Sequence, residues 1–383
     1  MYKRITPLPP RSFFLLGPRG TGKSTWLRAA LPRAHRIDLL DEALYHEYLA
    51  RPGAFAGELA TLARGSWVIV DEVQRLPQLL NEVHRAIEDR GLRFALCGSS
   101  ARKLKQQGVN LLAGRALHRE MHPFVPEELG RDFSLERALA FGALPVIWTA
   151  EEPGEALSAY ARMYLREEIQ AEALVRNLPG FARFLPIAAL LHAQTLNVAA
   201  VARDAGVART TVNGYLEILE DTLIAFRLPA FETKLRVRER AHPKLYLFDP
   251  GVARALKGAV QPKPSPEERG PLFEGLVASL LRAYRSYADL YEEWAFWAPA
   301  EATRTEVDFV LRRGRELIGI EVKSAPRVRG EELSGLRAFA ELAQVVRRIC
   351  VFTGSRRELT PEGIELMPFG AFAAELAERS LWP

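Results

Sequence analysis

Eight consecutive residues, Gly17-Pro-Arg-Gly-Thr-Gly-Lys-Ser24, carry the sharpest chemistry in this sequence. They match G-x-x-x-x-G-K-[ST], and an apolar, strand-like run precedes them while a helical pattern follows. Glycines at that spacing let backbone N–H groups converge on phosphates, and the helix N-terminus adds its partial positive charge. The spacing assigns Gly17, Pro18, Arg19, Gly20, Thr21, Gly22, Lys23, Ser24 and Thr25 to nucleotide binding. Lys23 is expected to reach the β- and γ-phosphates and Ser24 to ligate Mg²⁺. Trp67-Val-Ile-Val-Asp71-Glu72 is an apolar strand ending in two carboxylates. Asp71 is expected to hold the metal and its waters, and Glu72 to act as base for the attacking water. Ser99 follows the next strand, where its hydroxyl orients water, contacts the γ-phosphate or caps the following helix. Arg115, in Leu-Ala-Gly-Arg-Ala, is a candidate arginine finger acting across a subunit interface, with Arg119 an equal competitor.

A second constellation lies near the C-terminus. Glu306-Val-Asp308 opens one strand pattern and Ile320-Glu321-Val-Lys323 closes the next, with Glu274 on the helix before them. Strand alternation puts Glu321 and Lys323 on one face, and a hairpin brings Asp308 beside them. Two carboxylates of this kind suit Mg²⁺ or Mn²⁺, with Lys323 orienting a water or steadying charge for phosphodiester cleavage. The same face could instead be structural or a binding surface. A third group, Arg209, Thr210, Thr211 and Asn213, opens a helix that would meet nucleic acid phosphates or bases.

Four short apolar runs, 13–16, 36–40, 67–70 and 93–97, alternate with helical stretches, which predicts an α/β sandwich around a mostly parallel sheet over 1–125. Residues 126–180 turn helical, with an amphipathic piece over 156–172 and a Gly142-Ala-Leu-Pro145 break before it, and are expected to form a lid. Residues 181–235 predict a helix-turn-helix with a wing: Asn197 caps one helix over 198–204, Gly206 makes the turn, a second helix spans 209–221, and an extended pair over 223–231 follows. Residues 236–383 predict a last α/β domain, with a Pro-rich exposed loop over 257–271, a helix over 272–284 and hairpin strands over 306–311 and 317–322.

At 383 residues, with 48% apolar and 26% charged residues, the chain has the composition of a multidomain globular protein rather than a fibrous or disordered one. No apolar run approaches membrane-spanning length and the first residues lack a signal-peptide core. Cys97 and Cys350 form no disulfide or metal framework, so a reducing cytoplasm is expected. The net charge of +5 is uneven: residues 1–125 carry +8 and residues 126–235 carry −5. A basic field attracts phosphate polymers, and it could equally complement an acidic neighbouring segment.

Taken with Leu112-Ala-Gly-Arg115, His122-Pro-Phe-Val-Pro-Glu-Glu-Leu129, Thr210-Thr-Val-Asn-Gly-Tyr-Leu216 and Lys244-Leu-Tyr-Leu-Phe-Asp-Pro-Gly251, these motifs make nearly the whole chain resemble a bacterial and archaeal family of AAA-type P-loop ATPases. In that family the ATPase core is followed by a winged helix and a C-terminal domain with a restriction-endonuclease-like core. The resemblance implies ATP and Mg²⁺ as cofactors, assembly into a homo-oligomeric ring, with a hexamer favoured, and a link to DNA. Gly142-Ala-Leu-Pro145 departs mildly from the family's more usual Gly-Gly-hydrophobic-Pro. Two classes of function stay open: an ATP-driven machine that translocates on or remodels branched DNA, with the C-terminal domain binding or cutting it, and a nucleotide-controlled switch acting on protein partners.

Overall fold

The computed structural model describes residues 2–100, 112–164, 177–231, 242–260, 263–299 and 305–383. Its first sheet has the order β2-β3-β4-β1-β5, all neighbours parallel, built from β1 (Phe13–Leu16), β2 (His35–Asp38), β3 (Trp67–Asp71), β4 (Arg93–Gly98) and β5 (Leu117–Glu120). Alternation along β1 sends Phe14 and Leu16 into one apolar layer and Phe13 and Leu15 into the other, so the sheet is buried on both faces. The phosphate loop leaves the C-terminal end of β1 and enters α1 (Lys23–Ala30), and α2 (Leu80–Arg90) packs as a connecting helix before β4. β2 starts one residue earlier than the apolar run suggested and ends at Asp38, because pairing to Val68–Asp71 of β3 sets its bounds.

The middle of the chain is helical. The segment carries α3 (Leu135–Phe141), the short α4 (Pro145–Trp148), α5 (Val198–Ala205) capped by Asn197, and α6 (Arg209–Asp221). The helix expected over 156–172 is seen as far as Tyr164, with its turn widened over Tyr160–Tyr164, and its remainder lies outside the described residues. The extended pair expected within 223–231 is instead one strand, β7 (Ala225–Leu228), which pairs antiparallel with β8 (Lys244–Leu247). A small three-stranded sheet, β6-β8-β7 with β6 at Gln194–Thr195, therefore draws its central strand from beyond the boundary expected at 235. Within 223–231 the chain turns at Leu223 with φ +61°, and past Pro229 it leaves β7 to form a single parallel bridge from Ala230 to Phe296.

Beyond α7 (Pro250–Leu256), the loop expected over 257–271 ends early. Ser265 caps α8 (Pro266–Ala288) through a capping box with Glu268, and Pro266 occupies the first helical turn. The two prolines masked that start, and α8 keeps Pro271 within its early turns. α8 then backs a six-stranded mixed sheet ordered β13-β14-β12-β11-β10-β9, comprising β9 (Glu293–Trp297), β10 (Val307–Arg313), β11 (Glu316–Lys323), β12 (Val345–Phe352), β13 (Glu358–Leu359) and β14 (Glu365–Pro368), before the closing helix α9 (Phe369–Glu378). One apolar core runs from Phe124 and Val125 across α8 to Ile320 and Trp382, and Arg282 of α8 pairs with Glu120 of β5 at 2.8 Å, so α8 links the N-terminal sheet to the C-terminal one. No helix of the described residues is long and apolar enough to cross a membrane.

Candidate functional sites

The phosphate loop adopts the backbone that its glycines permit. Gly20 and Gly22 have φ +74° and +85°, and a side chain at Gly20 would also meet Val146 at 2.6 Å. Around the loop lies a cavity of about 1050 Å³ lined by Arg19 through Thr25, Glu72, Tyr2, Leu8, Phe124 and Val146 among others. Lys23 is buried, and its Nζ donates to the carbonyls of Gly17 at 2.6 Å and Pro18 at 3.1 Å. Neutral carbonyls are modest acceptors, so phosphate oxygens compete for this ammonium readily. Val146 N–H donates to the Gly20 carbonyl at 3.3 Å, and Arg4 donates to the Thr21 carbonyl at 2.6 Å while pairing with Glu128 at 2.8 Å. The loop is thus roofed by the Gly142–Pro145 break and braced by the N-terminal segment.

β4 lies between β3 and β1, which brings Asp71 and Glu72 to the same edge of the sheet as the loop. The Asp71 carboxylate accepts the Glu72 amide at 3.1 Å. Glu72 has φ +54°, an uncommon backbone state for a residue with a side chain, and is buried. Burial pushes its carboxyl up, with Lys23 and Arg19 pulling the other way. Gln74, which no sequence motif marks, donates from one Nε2 to both Glu72 and, at 3.1 Å, Ser99. Ser99 thus joins the site through Gln74, while the helix it was expected to cap lies outside the described residues. The Ser24 hydroxyl and the Asp71 carboxylate are hard oxygen donors beside the loop, a donor pair that fits the Mg²⁺ accompanying a nucleotide.

Arg115 stands elsewhere. It precedes β5, which runs parallel to β1 in register Phe13 to Leu117, so it sits at the opposite edge of the sheet from its own phosphate loop. Four strand residues separate those edges, about 13 Å. It pairs with Glu88 of α2. Arg119 lies within β5 itself. Of the proposed recognition residues at the start of α6, Arg209, Thr210 and Asn213 are exposed and Thr211 half-buried, while Val212, Tyr215, Leu216 and Leu219 face the core.

In the C-terminal sheet the hairpin brings the expected carboxylates together. Phe309 pairs with Ile320, which sets Asp308 next to Glu321, and Lys323 pairs with Glu321 on the same face. A metal centre does not follow. Lys244, from β8, inserts its buried ammonium among Glu274 at 2.9 Å, Asp308 at 3.0 Å and Glu306. The second oxygen of Asp308 accepts the Val322 amide at 2.9 Å, and Tyr246 donates to Glu274 at 2.6 Å. Of these oxygens the Glu321 Oε2 alone is buried without a partner. Among the described residues no group of three His, Cys, Asp or Glu side chains is disposed to hold a metal ion. Asp308 and Glu321, with Glu274 and Lys323, thus converge as expected but do not fit the divalent ion assigned to them, because a lysine holds the place. Burial pushes the Glu274 carboxyl up to about 7, helped by Asp308 and opposed by Lys244. Burial pulls the Lys244 ammonium down, but the surrounding carboxylates outweigh it and hold it charged. Alternation offered the missed signal: Lys244 and Tyr246 are the polar positions of a four-residue apolar strand and share a face.

β8 also runs toward the nucleotide cavity. It leads to Asp249, fully buried, whose carboxylate accepts Ala143 N–H at 2.8 Å and Val252 N–H at 3.1 Å. Gly142 has φ +77°, and a Cβ there would lie 1.8 Å from the Asp249 carboxylate. The Gly142–Pro145 and Asp249–Gly251 motifs are one contact seen from two sides.

Residues 10–130 match the AAA domain family, residues 132–263 a domain of unknown function (DUF8612) and residues 269–372 another (DUF4143). The N-terminal third is thus similar to AAA-type P-loop domains. An uncharacterized protein of Mycobacterium tuberculosis is 27% identical over 357 residues, covering 90% of this chain and 76% of its own, and one of Mycobacterium bovis matches equally. Among solved structures, the Aeropyrum pernix ORC1 protein in complex with DNA aligns with TM-score 0.27 and 15% identity, covering 66% of this chain and 87% of its own. The replication initiator DnaA bound to AMPPCP and single-stranded DNA aligns with TM-score 0.27 and 15% identity, covering 55% and 82%. Superpositions this loose establish neither shared architecture nor shared function.

Proposed function

We propose that the chain is a Mg²⁺-dependent ATPase whose hydrolysis drives translocation along, or remodelling of, DNA. The observation that carries the reading is the 1050 Å³ cavity in which the phosphate loop, Lys23, Ser24 and Glu72 converge. In this reading Lys23 exchanges its two carbonyl partners for phosphate oxygens, and the loop amides hold the remaining charge. Ser24 and Asp71 would hold Mg²⁺, which supplies neutralisation of phosphate charge. Glu72 takes a proton from the attacking water, and burial, which raises its affinity for protons, favours that transfer. Ser99 and Gln74 fix its direction. The position of Arg115, far from its own loop, leaves it useful as a finger only toward a neighbouring subunit, which favours assembly into a ring, a hexamer by resemblance.

The DNA part rests on the +8 charge of residues 1–125 and on the exposed N-terminal turn of α6, presented by a helix-turn-helix whose wing is the β7–β8 pair. Residues 269–372 serve in this reading as a restriction-endonuclease-like contact module without cleavage chemistry, since the metal does not fit. A second reading, a nucleotide-controlled switch on protein partners, is favoured by that same locked cluster. Salt separates them: a DNA-acting motor loses duplex or branched-DNA affinity steeply as salt rises, with a slope that falls in Arg209→Ala, whereas a protein switch shows no salt-sensitive DNA binding to weaken.

A further inference from the structure

The C-terminal cluster holds four carboxylates, Glu274, Glu306, Asp308 and Glu321, against two ammonium groups, Lys244 and Lys323. Glu321 and Asp308 line a cavity of about 380 Å³ together with Glu306, Glu331, Glu332 and Lys323. Such a pocket is acidic and open enough for a hydrated ion. Yet three of the four carboxylates converge on one atom, the Lys244 Nζ, and that atom comes from a different sheet. Lys244 is 4% exposed, and the strand carrying it is held on both edges, by β6 and by β7.

We infer that Lys244 is the resident cation of this cluster, a built-in plug that occupies the place among Glu274, Glu306 and Asp308 where a divalent metal would otherwise sit. A metal ion would need to displace an ammonium that is tethered, and so present at high local concentration. It would also have to shed water that Mg²⁺ gives up reluctantly, and it would leave the expelled lysine without partners. The oxygen that no hydrogen bond claims, Glu321 Oε2, points to the same conclusion: it is the coordination position that the lysine cannot fill. With the plug seated, Glu306, Glu331 and Glu332 still line the cavity, a poor surface for phosphodiesters. Neither consequence depends on ATP hydrolysis at the N-terminal cavity.

The test is Mn²⁺ binding by the full-length, nucleotide-free protein, read as loss of the free-ion paramagnetic resonance signal. Wild type should take up no ion sensitive to Asp308→Asn. Lys244→Met should take up one ion per chain and lose it again when Asp308→Asn is added. Should Lys244→Met fail to fold by circular dichroism, Lys244→Met with Glu306→Gln carries less unbalanced charge and keeps Glu274, Asp308 and Glu321 for the same titration. Stoichiometric, Asp308-dependent uptake by wild type would overturn the inference, and so would a folded plug-less variant that binds no ion.

Discussion

Each half of the molecule buries a lysine, Lys23 at the start of α1 and Lys244 at the start of β8, and the two are held in opposite ways. Lys23 rests on two backbone carbonyls at the edge of a large cavity, while Lys244 is neutralised by three carboxylates beside a small one. The difference is one of exchange. A carbonyl-bound ammonium is stabilised only modestly in the resting state and can swing to a phosphate, whereas a carboxylate-bound one already has the charge it would seek. The same residue type is thus a ligand-binding group in one region and a fixed fastening in the other, and β8 with Asp249 and Gly142 ties the two regions into one frame.

The comparison breaks most visibly on stability. Lys244→Ala leaves buried carboxylates unpaired and should cost about 3–5 kcal/mol, whereas Lys23→Ala loses two bonds to neutral carbonyls and should cost about 1 kcal/mol or less. Urea unfolding of both variants without nucleotide checks this, and equal losses would mean that the two lysines are alike.

A smaller effect marks where the regions should agree. His122, near the Arg4 brace, and His192, whose Nδ1 accepts the Leu247 amide of β8 at 3.0 Å, are both buried, and burial pushes each imidazole down to about 3. A lowered folded-state pKa contributes stability above the unfolded value of about 6.5 that is lost as pH falls toward 3. His192→Asn keeps an acceptor for Leu247 and removes the titration. The stability difference between this variant and wild type should shift in the variant's favour by about 1.6 kcal/mol between pH 6.5 and pH 5. A difference that stays flat over that range would show that His192 is protonated in the fold.

How far each region could be read from sequence follows from how it is built. The phosphate loop and the Asp71-Glu72 pair are contiguous strand-to-turn segments, and four apolar runs marked the strands around them to within about two residues. Their supports arrive from elsewhere: Arg4 from the N-terminus, Val146 from α4, and Gln74 from a turn whose geometry no periodicity encodes. The hairpin that aligns Asp308 with Glu321 was legible because strand alternation is rigid. Lys244 was not, since its effect depends on a strand from a separate sheet docking against α8 and β10. Pro266 and Pro271 misled in the other direction, reading as a loop where Ser265 and Glu268 in fact cap a long helix.

The N-terminal cavity is tested most directly by ATP retention measured beside ATP turnover in Glu72→Gln. The account predicts that the variant binds Mg²⁺-ATP as tightly as wild type and hydrolyses it at least about 100-fold more slowly, the loss expected for a general base. Lys23→Ala, run alongside, should fail to retain ATP. Turnover by Glu72→Gln at the wild-type rate would contradict the assignment and require another group to activate the water.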